Sequence, residues 1–191
     1  MNISVIIPLL NEQNSLEELT SSVSSVINDL NLKYEIILID DGSTDNSWKI
    51  ISKICTNNQH IKGIRFLKNF GKSQALSAGF KACNGDVVIT MDADLQDDPN
   101  EIPELYKKIS EENFDLVSGW KKVRYDSIIF KNFPSKIFNW AARITSGVKL
   151  NDFNCGIKAY KKEVIQQVKL TGGMHRYIPV LAKNAGYNRI T

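Results

Sequence analysis

The chain of 191 residues has few of the features that mark zinc-bound, disulfide-linked or membrane-spanning proteins. Its three cysteines lie far apart, without a CxxC motif or a Cys/His spacing, which argues against a structural zinc site and a disulfide framework. A reducing compartment is the simplest interpretation. No apolar run approaches the length of about 18 residues that a membrane span needs, and the N-terminal "MNISVIIPLLNEQ" has no basic segment. We therefore expect neither a signal peptide nor a membrane span in this chain.

Motifs of several common enzyme classes are also missing. No GxxxxGK[ST] loop is present and no GxGxxG segment follows a strand, which argues against a P-loop kinase and a nicotinamide-dependent dehydrogenase. The two histidines, His60 and His175, are not accompanied by a GxSxG segment, so a serine hydrolase has no support. An EF-hand calcium loop that starts at Asp92 fits poorly, because its sixth position is Asp97 rather than glycine.

Charge is divided unevenly along the chain, although the net charge is only +3. Residues 1–118 contain 10 lysines and arginines against 18 aspartates and glutamates, whereas residues 119–191 contain 14 against 3. The second part therefore carries a net charge of +11 and is expected to meet an anionic partner. A solvated basic face is the common alternative.

Short apolar segments alternate with amphipathic ones along most of the chain. We expect strands at 3–9, 34–40, 61–67, 86–91 and 114–119, and helices at 14–30, 43–55, 71–83 and 98–112. This alternation predicts an α/β fold, in which a mostly parallel sheet carries helices on both faces. The length and the hydrophobic content of 42% fit one domain that spans residues 1–191.

Polar clusters follow three of these strands, at the edge where parallel sheets bind ligands. Asp92, Asp94 and Gln96 come directly after the fourth strand, and Asp92 and Asp94 point to the same side of an extended segment. Two close carboxylates repel each other unless a cation neutralises them, and Mg²⁺ or Mn²⁺ prefers such ligands together with substrate phosphates. The alternative is a solvated acidic loop that caps the next helix.

A second acidic segment, "IDDGSTD" at 39–45, follows the second strand. Either Asp40 or Asp41 could accept hydrogen bonds from a base N–H or a ribose hydroxyl, while the rest of the segment forms a turn and a helix cap. Lys72 stands at an expected helix start, where a phosphate would bind favourably, although it could equally be a surface residue.

Seven segments together resemble the inverting glycosyltransferases of family 2. In chain order they are "VIIPLLNE", "IDDGSTD", "NFGKSQALSAGF", "MDADLQDDP", "SGWKKVRYD", "DFNCGIKAY" and "MHRYIPVLA". The resemblance covers nearly the whole chain and is closest to the polyprenyl-phosphate sugar transferases, which are related to dolichol-phosphate mannose synthase. It implies a single nucleotide-diphospho-sugar transferase domain of the GT-A type.

The resemblance also implies roles for individual residues. Asp92, Asp94 and Gln96 would hold Mg²⁺ or Mn²⁺ on the diphosphate of the sugar nucleotide. Asp94, Arg124 and Arg176 would take part in catalysis, with the arginines sharing the charge of the leaving diphosphate. The nucleotide-sugar pocket would be formed by Pro8, Leu10, Glu12, Asp40, Asp92, Ala93 and Lys121, with Asp40 facing the base. Many relatives have an arginine where Lys121 stands, and lysine lacks the bidentate geometry of arginine on a phosphate.

The implied reaction is transfer of a sugar from a nucleoside diphosphate to a polyprenyl phosphate, such as undecaprenyl or dolichyl phosphate, with inversion at the anomeric carbon. Because the acceptor is already anionic, a strong general base is not required, and Asp94 is the nearest candidate for one. The resemblance implies no nucleic-acid partner. It leaves open the sugar, the choice between uracil and guanine, and homo-oligomerisation.

Two other functions remain open. A family 2 enzyme that extends a polysaccharide on a hydroxyl acceptor would need a carboxylate base, for which only Asp152 is available around residues 150–160. The second alternative is a non-catalytic module that binds nucleotide sugars or a membrane surface. The intact set of metal ligands argues against this alternative.

Residues 125–147 have the composition of a helix that lies in a lipid interface, with bulky apolar side chains and interspersed basic ones. The alternative is a helix whose apolar stripe packs on the core. A lipid acceptor favours a location at the cytoplasmic face of the membrane. Members of the resembled family continue past "AGYNRIT" with another strand, a basic segment that contains serine, and usually membrane helices, so we expect a truncated chain.

Overall fold

Strands and helices alternate along the first part of the computed structural model, which describes residues 1–120, 150 and 152–191. The elements up to residue 120 are β1 (Ile3–Leu9), α1 (Leu16–Asp29), β2 (Tyr34–Asp40), α2 (Ser47–Asn57), β3 (Ile61–Arg65), α3 (Lys72–Ala82), β4 (Val87–Thr90), α4 (Ile102–Ser110) and β5 (Leu116–Ser118). The later part adds β6 (Lys158–Lys161), α5 (Lys162–Gln167) and α6 (Ile178–Asn184). Short 3-10 turns lie at Pro99–Glu101 and Met174–Tyr177.

The strands of the described residues form a six-stranded sheet in the order β3-β2-β1-β4-β6-β5. β3, β2, β1 and β4 run parallel, which confirms the α/β class predicted from the alternating pattern. The periodicity of the sequence does not predict β6, which runs antiparallel between β4 and β5 and pairs Ala159 with Ile89 and Val117. The sheet is therefore parallel on the β3 side and mixed on the β5 side.

Side chains of β1 alternate between two apolar cores, because successive residues of a strand point to opposite faces. Ile3, Val5 and Ile7 pack with residues of α1, α2 and α4, whereas Ile6 packs with residues of α3, α5 and α6. Each of these side chains is fully buried and contributes about 1.5–3 kcal/mol relative to an exposed position. Burial on both faces explains the continuous apolar sequence of β1.

Helix α3 packs directly on the sheet at Gly79, which faces β1. A Cβ at Gly79 would collide with Ile6 Cγ2 and would lie 3.1 Å from Ile39 Cδ1. This packing directs the first residue of α3, Lys72, to the same space as Pro8 of β1 and Asp92 after β4. The strand order changes direction between β1 and β4, and open α/β sheets bind ligands at such a point.

Candidate functional site

A cavity of about 320 Å³, called the first cavity below, opens at the carboxyl ends of β1, β2 and β4. Five of the seven residues predicted for the nucleotide pocket line it: Pro8, Leu10, Glu12, Asp92 and Ala93. Asp94, predicted to bind the metal, lines it too. Asp41 and Lys72 line it as well. Polar groups from three loops therefore meet in one space, as their positions after the strands predict.

The loop after β1 is held against the segment that follows β2 by three backbone donors. The N–H groups of residues 11, 12 and 13 donate to Ser43 Oγ at 2.9 Å, Ser47 Oγ at 2.9 Å and Asp45 Oδ2 at 3.3 Å. Asp45 also accepts the N–H of Ser47, the first residue of α2, through Oδ1 at 2.9 Å. These bonds hold the Glu12 backbone at the edge of the first cavity.

The neighbouring carboxylates Asp40 and Asp41 have different environments. Asp41 lines the first cavity, and its two oxygens accept the backbone N–H groups of residues 70 and 71 at 2.8 and 2.9 Å. Asp40 is fully buried outside the cavity lining; its Oδ1 accepts the Ser43 N–H at 2.8 Å, and its Oδ2 lies 3.9 Å from Arg65 Nε. Asp40 Oδ2 has no hydrogen-bond partner among the described residues. The contact of Asp40 with the base of the nucleotide stays a prediction, and Asp41 is better placed to make that contact.

Asp92 is held in position from three sides. Its Oδ1 pairs with the Lys72 ammonium, and its backbone N–H donates to Asp97 Oδ2 at 2.9 Å. The segment before β6 packs against it at Gly156, where a Cβ would lie 2.5 Å from Asp97 Oδ2 and 2.6 Å from Asp92 Cγ. Only glycine at residue 156 leaves room for Asp92 where it stands.

Asp92 and Asp94 supply part of the set of oxygen ligands that a hard divalent ion needs. Asp94 is exposed and lines the first cavity, and its Oδ1 accepts the Gln96 backbone N–H at 3.1 Å. Gln96 is exposed and lies outside the lining of the first cavity, so its predicted role as a ligand stays a prediction. The described residues contain no cluster of three or more His, Cys, Asp or Glu side chains suited to a metal. Two carboxylates on one cavity wall suit Mg²⁺ or Mn²⁺ that takes its other oxygen ligands from a diphosphate and water.

A second cavity of about 230 Å³ adjoins the first, since Pro8, Lys72 and Asp92 line both. The basic side chains around it are Lys72, Lys158, His175 and Arg176. Asp92 is the only carboxylate that lines this second cavity within the described part of the chain. Such a surplus of basic groups favours an anionic ligand.

Burial shapes the protonation of the groups around the second cavity. It lowers the pKa of Lys158, whose buried ammonium donates to the Cys155 carbonyl oxygen. Burial also lowers the pKa of His175 to about 4, and Lys72, Arg176 and Lys158 act in the same direction, so the imidazole is neutral at pH 7. The thiol of Cys155 stays protonated, because burial raises its pKa to about 11.

The remaining sequence predictions fall in different places. Arg176 lines the second cavity and not the first. Lys121 and Arg124 lie outside the described residues, as does the segment at 125–147. Sequence reasoning missed Lys158 and His175, because a single basic residue in a short motif carries no signal until the fold places it in the same cavity as Asp92.

Two curated relatives are similar over nearly the whole chain. Undecaprenyl-phosphate 4-deoxy-4-formamido-L-arabinose transferase of Shewanella sediminis is 38% identical over 190 residues, which cover 99% of this chain and 56% of that protein. Dodecaprenyl-phosphate galacturonate synthase of Rhizobium johnstonii is 35% identical over 183 residues, which cover 94% of this chain and 53% of that protein. The chain thus spans about half the length of the curated relatives it matches.

Solved structures of glycosyltransferases share the fold. One is glucosyl-3-phosphoglycerate synthase from Mycobacterium tuberculosis in complex with Mn²⁺, uridine diphosphate and phosphoglyceric acid, with a TM-score of 0.75 at 23% identity over 99% of this chain and 66% of that chain. Another is the mannosyltransferase PcManGT from Pyrobaculum calidifontis in complex with GDP-Man and Mn²⁺, with a TM-score of 0.70 at 18% identity over 100% of this chain and 54% of that chain.

The family model described as "Glycosyl transferase family 2" matches residues 4–169, which confirms the resemblance seen in the sequence motifs. The match runs from β1 to the end of α5 and includes the segments that line both cavities up to Tyr160. With this match and the GT-A arrangement of its sheet and helices, the chain belongs to glycosyl transferase family 2.

Proposed function

We propose that the protein is an inverting, metal-dependent glycosyltransferase that moves a sugar from a nucleoside diphosphate to a polyprenyl phosphate at a membrane surface. Two joined cavities support this function most strongly, because one carries Asp92 and Asp94 and the other is lined mainly by basic groups. A metal-bound donor and an anionic acceptor require neighbouring sites of this kind. The names of the two relatives that are 38% and 35% identical support the choice of acceptor.

The donor nucleotide would occupy the first cavity, whose 320 Å³ suits a small-molecule ligand. The base would lie beside Asp41, since a carboxylate accepts the N–H of uracil or guanine. Pro8 and Leu10 supply an apolar wall, and Glu12 supplies an acceptor for a ribose hydroxyl. The diphosphate would lie near Lys72 at the start of α3, because the N-terminus of a helix attracts anions.

Asp92 and Asp94 would hold Mg²⁺ or Mn²⁺, with Gln96 as the third predicted ligand. When bound, such an ion offsets the negative charge that builds on the leaving diphosphate. The Lys72 ammonium, which pairs with Asp92 here, would then be available to the diphosphate. Fixed positive groups of this kind stabilise the transition state because they need no rearrangement during the reaction.

The acceptor phosphate would occupy the second cavity beside Lys158 and Arg176. One phosphate oxygen attacks the anomeric carbon, a new carbon–oxygen bond forms as the bond to the diphosphate breaks, and the nucleoside diphosphate leaves with that electron pair. No proton has to be removed, because the attacking oxygen is already anionic. Arg176, together with Lys121 and Arg124, would share the charge on the diphosphate.

The lipid chain of the acceptor implies contact with the cytoplasmic face of a membrane. The net charge of +11 in residues 119–191 and the composition of residues 125–147 support attraction to anionic headgroups. None of the helices in the described stretches combines the length and the hydropathy that a membrane span requires.

A hydroxyl acceptor fits the site less well. Asp152 would have to act as the base, but it is buried, its Oδ1 accepts the Asn154 N–H at 2.8 Å, and it lines neither cavity. The geometry therefore does not favour a polysaccharide-extending enzyme.

A transfer assay tests the proposal. The protein is incubated with Mn²⁺, a panel of uridine and guanosine diphosphate sugars, and undecaprenyl phosphate in detergent, and lipid-linked sugar is detected by mass spectrometry. Transfer from one of the donors would support the proposal. Transfer only to an acceptor with a free hydroxyl would favour polysaccharide extension, and binding of the donor without any transfer would indicate a non-catalytic module.

A further inference from the structure

Ser73 and His175 form a reciprocal hydrogen-bonded pair between α3 and the Met174–Tyr177 turn. The His175 backbone N–H donates to Ser73 Oγ at 3.1 Å, and the same oxygen lies 3.2 Å from Nδ1 of the His175 ring. Ser73 is buried, with 1% of its surface exposed. Two segments that are 102 residues apart in the chain are therefore joined at one hydroxyl group.

The proton on Ser73 Oγ determines the tautomer of the ring. A hydroxyl has one proton to donate, and a buried hydroxyl that donates to nothing is costly. Nδ1 of His175 is the only acceptor near the Ser73 hydroxyl among the described residues, since the other contact of Oγ is with a donor. Ser73 therefore donates to Nδ1, and a neutral imidazole must then carry its own proton on Nε2.

The surroundings keep this imidazole neutral and leave Nε2 available. Burial lowers the pKa of His175 to about 4, the cations Lys72, Arg176 and Lys158 lower it too, and Asp92 acts in the opposite direction. His175 lines the second cavity, and Nε2 has no hydrogen-bond partner in the described part of the chain. The neutral His175 ring thus lines a cavity whose other basic groups attract an anion.

We propose that Ser73 is a positioning residue that fixes His175 as the Nε2–H tautomer, so that the ring donates one hydrogen bond to a phosphate oxygen in the second cavity. The second part of this inference, that the ring donates to a phosphate oxygen, is called the ligand half below and rests on the proposed function. The oxygen belongs either to the diphosphate of the donor or to the phosphate of the acceptor. Unlike a lysine or an arginine, the imidazole provides this bond without adding charge, so it orients the phosphate and lowers the nucleophilicity of an attacking oxygen less than a cation would.

The tautomer can be observed directly by NMR. The chain has only two histidines, and long-range ¹H–¹⁵N spectra of ¹⁵N-histidine-labelled protein distinguish Nε2–H from Nδ1–H rings. His60→Gln assigns the His175 signals, and exposed His60 serves as the internal reference in the other samples. We expect a pure Nε2–H pattern for His175 at pH 7, and a loss of that pattern in Ser73→Ala while the His60 signals stay unchanged. An Nδ1–H pattern in the wild type, or an unaltered pattern in Ser73→Ala, would overturn the proposal.

Binding of phosphate probes tests the ligand half. Glutamine at residue 175 can place an amide N–H near the position of Nε2, whereas asparagine is too short to do so. We expect His175→Asn to lower the affinity for one probe by about tenfold, the effect of one hydrogen bond to a charged group, and His175→Gln to stay near the wild type. The two probes are UDP or GDP with Mn²⁺ and a short-chain prenyl monophosphate, and the one affected identifies the source of the oxygen.

The outcomes separate this inference from the proposed function. Equal affinities of His175→Asn, His175→Gln and the wild type for both probes would overturn the ligand half. A wild-type protein that binds neither probe would overturn the proposed function and the ligand half with it. The NMR result for Ser73 stands independently of both, because it is measured without a ligand.

Discussion

Replacing Gly156 by alanine tests whether the segment before β6 holds Asp92 in place. A Cβ at residue 156 would lie 2.5 Å from Asp97 Oδ2 and 2.6 Å from Asp92 Cγ, where ordinary contacts are 3.4–4 Å. Asp97 is buried and its Oδ2 accepts the Asp92 N–H, so its carboxylate has little freedom to retreat. The added methyl group must therefore displace Asp92, the backbone around residue 156, or both.

The expected effect on stability follows from the cost of overpacking, about 1–3 kcal/mol of unfolding free energy. In a domain of this size, 1 kcal/mol corresponds to a change in melting temperature of about 2–4 °C. We expect Gly156→Ala to melt about 2–12 °C below the wild type. We also expect its affinity for UDP or GDP in the presence of Mn²⁺ to fall by about tenfold, because a displaced Asp92 no longer reaches the metal.

Differential scanning calorimetry gives the melting temperature, and isothermal titration calorimetry gives the affinity. Gly173→Ala is the matched control, because a Cβ there meets no heavy atom within 4 Å and the φ of −86° is open to alanine. The control should melt at or slightly above the wild-type temperature. If Gly156→Ala behaves like Gly173→Ala in both measurements, residue 156 does not position Asp92 and the reasoning is refuted.

Three further predictions concern the stability of the protein and the contact with the base of the nucleotide. Glu35 is buried and accepts four hydrogen bonds, so Glu35→Gln should lower the unfolding free energy by about 1–3 kcal/mol in urea. Glu17→Gln, at an exposed ion pair, should change the unfolding free energy by less than about 1 kcal/mol, and similar values for the two variants would contradict this. Folding lowers the pKa of His175 from 6.5 to about 4, so the unfolded chain binds more protons between these pH values and stability falls as the pH is lowered through them. His175→Gln should flatten this slope of stability against pH, and an unchanged slope would show that other groups cause it. Asp41→Ala should weaken binding of the free nucleotide with or without metal, and a larger loss in Asp40→Ala would return the base contact to that residue.

The parallel part of the fold is the part that the sequence predicts best. The observed bounds of β1 and β2 match the predicted ranges 3–9 and 34–40. Both strands are buried on both faces, so each appears in the sequence as one continuous, mainly apolar run whose ends are easy to recognise. The predicted helix at 98–112 is divided into the Pro99–Glu101 turn and α4. β6 is only four residues long and has a lysine at each end, so its sequence shows no strand period, and its place in the sheet depends on pairing with β4 and β5.

The positions of site residues can be predicted from the sequence where these residues follow the same strand. Asp92 and Asp94 follow the same strand two residues apart, so local geometry alone places both at the first cavity. Which of two adjacent aspartates faces that cavity depends on the turn that follows them, and apolar periodicity carries no information on that turn. Lys158 and His175 line the same cavity as Asp92 only through the packing of distant segments, and no pattern within either segment reports such packing.

The central claim is that Asp92 and Asp94 bind the diphosphate of a sugar nucleotide through a divalent ion. Titration calorimetry with UDP and GDP, first with Mn²⁺ and then with EDTA, tests it on the wild type, on Asp94→Asn and on Asp86→Asn. Asp86 is exposed and precedes the first residue of β4, at the end of that strand away from the cavities, so its variant removes the same charge elsewhere. We expect the wild type and Asp86→Asn to bind one nucleotide more tightly with Mn²⁺. Asp94→Asn should lose this gain with little change in melting temperature, because the Asp94 side chain is exposed. The same metal-dependent gain in Asp94→Asn as in the wild type would contradict the claim.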